Sequence, residues 1–79
     1  MKIIDLATFY TETAKLEDLP SYEQKALELA GNGKVVKLTG RAPIWLYLRI
    51  SHALHGTVKT LIYDSPLTNE LVIYDHNPF

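Results

Sequence analysis

A chain of 79 residues, 47% hydrophobic and 22% charged, has room for one domain, expected to span residues 1–79. It contains no cysteine, which excludes disulfides and thiolate metal sites and fits a reducing, cytoplasmic setting. No apolar run approaches the roughly 18 residues of a bilayer span, so no membrane partner is expected. A core this small gives marginal stability alone, and a second subunit is the expected source of the rest.

In chain order, KIIDLATFY (2–10) reads as one extended strand, with Ile4, Leu6 and Phe9 sharing a buried side; a helix is the competing reading, because Ala7, Thr11 and Ala14 are not strong strand formers. SYEQKALELAGNG (21–33) reads as a helix. Ser21 and Gln24 have capping-box spacing, Tyr22, Ala26, Leu29 and Ala30 share a face, and Gly31 stands at the C-terminal stop. KVVKL (34–38) is a β-branched strand between Gly33 and Gly40. A second helix follows over 44–55, with Pro43 at its first turn. TLIYD (60–64) and the LVIYD run ending at Asp75 are two further strands. Ser65, Pro66 and Asn69 between them predict a hairpin. The order predicts an α+β fold: a small ferredoxin-like sandwich with about four strands and two helices on one face.

The net charge of −1 is unevenly spread. Residues 31–60 hold Lys34, Lys37, Arg41, Arg49 and Lys59 and no acid, while both flanking segments are acidic. A cationic segment inside an acidic chain suggests a discrete anion site and not a coat for long nucleic acid.

That segment contains GRAPIWLYLRISHALHG (40–56). At about 100° per residue, Leu46, Tyr47, Ile50, Ala53 and Leu54 share the core face. Trp45, Arg49 and His52 line a second face, with Ile44, Leu48 and His55 beside them. Apolar groups among basic ones suggest contact with a subunit or ligand; the alternative is that Trp45 folds back onto a loop and the helix is simply well buried. The entrance Thr39-Gly40-Arg41-Ala42-Pro43 joins a strand end to a helix start, where free N–H groups and the helix dipole suit a phosphate. Gly40 would admit a ligand close to the backbone, and Arg41 would clamp a phosphate. His52 and His55 are helical neighbours, and Asp64 and His76 stand at strand ends. Such a set suits metal binding or acid–base work on a phosphodiester; three surface histidines without function are the plainer alternative.

The run KVVKLTGRAPIWLYLRISHALHG, followed by I-Y-D and then V-I-Y-D-H, resembles the CRISPR-associated ring nucleases with a ferredoxin-like fold. Those proteins show G-R-x-P-[IV]-W-L opening a helix, A-H-x-x-H, a strand ending Y-D-P-R and a strand ending S-H. The resemblance covers residues 34–76. It implies binding of cyclic tetra-adenylate, the second messenger of type III CRISPR complexes, held between two homodimers as a tetramer and cut, typically with manganese.

Carried over, the resemblance makes His55 and Asp64 catalytic, has Gly40 and Arg41 hold phosphates, and matches His76 to the final histidine. With the residues around the helix start, the expected ligand-binding set is Thr39, Gly40, Arg41, Ala42, Pro43, Trp45, Arg49, His52 and His76; the metal ligands are left open. Where the family has Y-D-P-R, this chain has Tyr63-Asp64-Ser65-Pro66 and lacks the arginine. An arginine there would neutralise charge on a scissile phosphodiester. Its loss motivates a second expectation, a binding-only sensor or sponge, and the apolar helix face a third, a structural oligomer without nucleotide.

Overall fold

In a computed structural model, which describes residues 1–32 and 34–76, the chain forms an α+β domain consistent with the expected small ferredoxin-like sandwich. The elements are β1 (Lys2–Asp5), α1 (Leu19–Ala30), β2 (Val35–Thr39), α2 (Ile44–Leu54), β3 (Thr60–Ser65) and β4 (Asn69–Asp75). Two short 3-10 turns, Leu6–Phe9 and Leu16–Asp18, join β1 to α1. The sheet order is β1-β2-β3-β4. The first three strands are parallel, each joined to the next through a helix, and β4 returns antiparallel to β3 as a hairpin.

Alternation along the strands sends Ile4, Val36, Leu38 and Leu61 to one face, where all are buried. Leu19, Tyr22, Ala26 and Ala30 of α1 and Leu46, Ile50 and Leu54 of α2 join the same core, so both helices cover that face. The opposite face carries Lys37 and Ile62 as cross-strand neighbours. Lys37 makes a salt bridge to Glu70 there. That hydrogen bond raises the lysine's pKa against the lowering effect of burial, with the charges of Glu70 and Asp64 adding to the rise.

Two local expectations are corrected. The strand expected over 2–10 stops at Asp5, because the Asp5 carboxylate accepts the Ala7 N–H at 2.9 Å and turns the chain into the first 3-10 turn. Leu6 and Phe9 still reach the core, but from that turn. Helix α1 starts at Leu19, not Ser21, with Pro20 in its first turn. Ser21 therefore lies inside the helix and forms no capping box, and Gln24 instead donates to Glu28 at 3.2 Å. Leu29 is 45% exposed, and Leu19 takes its expected place in the core. The expected C-terminal glycine is in place: Gly31 has φ +70° and donates to the Leu27 carbonyl. Gly33, expected at the end of that helix, lies outside the described residues.

Gly40, just past β2, has φ +104°. A Cβ there would stand 1.9 Å from Asp5 Oδ1. Gly40→Ala should therefore destabilise the fold by about 1–3 kcal/mol, through strain and displacement of the Asp5 cap. Urea unfolding checks this. Asp5→Ala combined with Gly40→Ala should cost clearly less than the two single changes together, because they share one contact.

Candidate functional site

The segment Thr39–Pro43 is fixed from both sides. Thr39 Oγ1 donates to the Asp64 carbonyl at 3.3 Å, tying the ends of β2 and β3. The Tyr47 hydroxyl donates to the Gly40 carbonyl, and the Tyr10 hydroxyl to the Arg41 carbonyl at 2.9 Å. Helix α2 starts without a side-chain cap, and its first bonds run from Leu46 and Tyr47 N–H to the Pro43 carbonyl. Ile44 and Trp45 N–H thus have no acceptor within the helix. Two carbonyls of the loop are occupied by tyrosines, while the helix end presents donors and positive potential. The Arg41 side chain is exposed beside it.

This loop closes one end of a cavity of about 750 Å³ between α2 and the β3–β4 hairpin. Thr39, Gly40, Arg41 and Ala42 line it, with Asp64 on β3. Its walls are largely apolar: Ile44, Tyr47 and Leu48 from α2, Tyr63 from β3, Leu67 from the hairpin turn and Ile73 from β4. Tyr47 meets Tyr63 edge-on, with ring centroids 5.1 Å apart. Burial, helped by Tyr63, Asp5, Tyr10 and Asp64, pushes the Tyr47 hydroxyl's pKa up to about 12.

The exposed face of α2 divides differently from the expectation. Ile44 and Leu48 line the cavity, whereas Trp45 is half-buried against the core. Arg49 turns to α1 and donates to Glu23 at 3.2 Å. His52 is exposed and does not line the cavity. The space at Gly40 is filled by Asp5, so its lack of a side chain serves the fold and not the approach of a ligand.

A second cluster lies at the other end of the sheet. His55 ends α2, and its ring stands 5.0 Å from Tyr74 and 4.7 Å from His76. The Tyr74 hydroxyl is buried without a hydrogen-bond partner among the described residues, and burial raises its pKa. The His76 N–H donates to the Lys59 carbonyl at 2.8 Å, where β3 begins. Asp64 pairs with Glu70, six residues before His76 along β4, so the two ends are about 20 Å apart. His55 and His76 are therefore brought together, and Asp64 joins the loop Thr39–Ala42 instead.

Manganese needs several oxygen or imidazole donors at one point. Among the described residues no three His, Cys, Asp or Glu side chains gather to supply them. The described residues of one chain alone do not supply that donor set.

Sequence reasoning missed Tyr10, Tyr47 and Tyr74 as parts of the two sites. Tyr47 sits three residues into α2, where its hydroxyl reaches back to the preceding loop, a geometry legible from spacing alone. Tyr10 acts across 31 positions and left no local signal.

The fold and site define a small α+β domain with an apolar-walled pocket closed by a loop and a helix start. Residues 10–79 match the family described as CRISPR-associated protein (Cas_csx3), and the chain belongs to that family. No curated protein and no solved structure matches it. No helix among the described residues is long and apolar enough to cross a membrane.

The raised Tyr47 pKa has a pH consequence. The folded chain holds that proton up to about pH 12, while an unfolded tyrosine releases it near 10. Its contribution to stability is thus complete below about pH 10 and is lost as pH rises towards 12. Unfolding midpoints measured across that range should fall more steeply in the parent than in Tyr47→Phe. Tyr74, raised in the same direction, leaves a residual slope.

Proposed function

We propose that the chain binds cyclic tetra-adenylate, the second messenger of type III CRISPR signalling, and cleaves it to linear adenylates. The observation that carries this reading is the cavity closed by the pinned loop Thr39–Ala42 and the uncapped start of α2. Arg41 and the amides of Ile44 and Trp45 would take a phosphate, and the apolar walls a base. A cavity of about 750 Å³ suits a drug-sized ligand, smaller than a ring of four nucleotides. A symmetric ring would then be shared by symmetry-related copies, a homodimer and its tetramer.

The cut needs no nucleophile from the protein. A ribose 2′-hydroxyl attacks the adjacent linking phosphorus, and the bond from phosphorus to the 5′-oxygen breaks. The products end in a 2′,3′-cyclic phosphate and a 5′-hydroxyl. His55 is the proposed acid or base, moving the proton between the 2′-hydroxyl and the leaving 5′-oxygen. His76 and Tyr74 hold that ring in place. In one chain His55 lies far from the phosphate end, so the histidine acting on a bound ring comes from another subunit. The binding-only reading keeps one specific support: Ser65 and Pro66 follow Asp64 where an arginine would stabilise the transition state.

The test is incubation with labelled cyclic tetra-adenylate, with and without manganese, resolved on denaturing and native gels. Linear products are expected; a shifted but intact ring would make the chain a sensor or sponge, and a ring neither cut nor shifted would refute the reading. Arg41→Ala should weaken binding about ten- to hundredfold, as loss of a charge-assisted hydrogen bond does. His55→Ala should lower the cleavage rate at least about a hundredfold while the ring still binds. Inactive His55→Ala and Asp64→Ala chains, once mixed, should recover part of the activity, because mixed assemblies rebuild a complete site. Mixing without recovery would place both groups in one chain's site.

A further inference from the structure

Of the five cations in residues 31–60, Lys37 and Arg49 are paired with acids and Arg41 lines the cavity. Lys34 and Lys59 remain, both exposed and neither in a salt bridge among the described residues. The fold brings these two together. The Lys59 N–H donates to the Lys34 carbonyl at 3.0 Å, and the His76 N–H donates to the Lys59 carbonyl at 2.8 Å. These bonds carry the pairing of β2, β3 and β4 one residue past Val35, Thr60 and Asp75. Lys34, Lys59 and His76 thus form one row across three strand ends, about 10 Å long at the usual strand spacing. Each lies two positions from a residue of the helix-covered face, namely Val36, Leu61 and Tyr74. Alternation sets all three on that face, and the His55 ring, 4.7 Å from that of His76, borders the same row.

Asp75, next to His76, alternates to the opposite face, where its carboxylate accepts the Thr60 hydroxyl at 2.9 Å. Like charges side by side on one sheet face are destabilising. The lysines are not needed to finish α2 either. The Leu54 carbonyl accepts from Thr57 and Val58, and the His52 carbonyl from His55. Two ammonium groups beside two imidazoles, with no carboxylate partner among the described residues, suit an anion with several acceptor oxygens.

We propose that Lys34 and Lys59, with His55 and His76, hold a phosphate group of the ligand at this end of the sheet. The part this phosphate plays rests on the proposed function. It is the linking phosphate that is cut, and the two lysines supply the positive charge that the arginine missing after Asp64 would bring. They give up no proton. They neutralise the non-bridging oxygens while the 2′-oxygen bonds to phosphorus and the 5′-oxygen leaves with the proton that His55 moves. Arg41 and the start of α2 hold a different phosphate of the ring.

The first test uses inorganic phosphate alone, so it fails separately from the proposed function. Titrating the full chain with phosphate should move the amide chemical shifts of Lys34, Lys59 and His76 together and to saturation. Lys34→Gln and Lys59→Gln should each weaken that binding about tenfold, as loss of one charge-assisted hydrogen bond does, and Lys59→Arg should keep it. Arg41→Ala should leave these shifts in place. The unfolding midpoint of Lys59→Gln should hold or rise, because a like-charge neighbour is removed. With cyclic tetra-adenylate, Lys59→Gln should slow cutting at least about tenfold while the ring still binds, and Lys59→Arg should recover the rate. Strand-end amides indifferent to phosphate, shifts that survive both glutamine changes, or a loss of stability with phosphate binding kept would each overturn the proposal. A ring left uncut while these amides respond would support the phosphate site and refute cleavage. A ring cut as fast by the double glutamine variant as by the parent would overturn the lysines' part in the cut.

Discussion

The carboxylate of Asp5 sits in the space that a side chain at residue 40 would fill. Much of the molecule depends on that arrangement. It ends β1 by capping the first 3-10 turn, and so starts the path that delivers Leu6 and Phe9 to the core. It also requires a glycine at the end of the neighbouring strand, with φ +104°, which sends the chain sideways into the loop before α2. Tyr10, carried by the same path, then fixes that loop through the Arg41 carbonyl. The end of β1 and the wall of the cavity are thus one construction, and local packing at residue 40 sets the orientation of the helix end that faces a ligand.

What the sequence revealed follows the range of the forces involved. Helix α2 was legible to its first residue after Pro43, because its core face repeats at helical spacing and proline marks its start. The hairpin was legible from Ser65, Pro66 and Asn69, and Asn69 does adopt a positive φ of 55°. The start of α1 was not, since Ser21 offers a cap by spacing while Pro20 is equally at home in a first turn, and burial of Leu19 decides between them. The strand over 2–10 failed for the same kind of reason. Ile4, Leu6 and Phe9 are all directed inward, but a side-chain cap at Asp5 competes with the sheet ladder, and that competition does not change the hydrophobic pattern.

The candidate site was legible as a set of residues and not as a place. Charge along the chain suggested five cations acting together. In the fold, Lys37 pairs with Glu70 and Arg49 with Glu23, so acids from both flanking segments neutralise two of them. Among the described residues, Arg41 is the one cation that lines the cavity. Likewise, the second helix face was read around Trp45, Arg49 and His52, whereas α1 packs on that side and the cavity opens towards Ile44 and Leu48. Angular position on a helix identifies which residues share a face. It does not say which neighbour each face meets.

Separation of the histidine cluster from the phosphate end bears directly on how such a chain can act. A strand of six or seven residues holds its two ends rigidly apart, and no side-chain rotation closes about 20 Å. A domain of this size has few ways to bring such groups together: it must either use them on different parts of a large ligand or draw them from different copies. A small core, an uncovered sheet edge and a cavity bordered by apolar side chains all favour association.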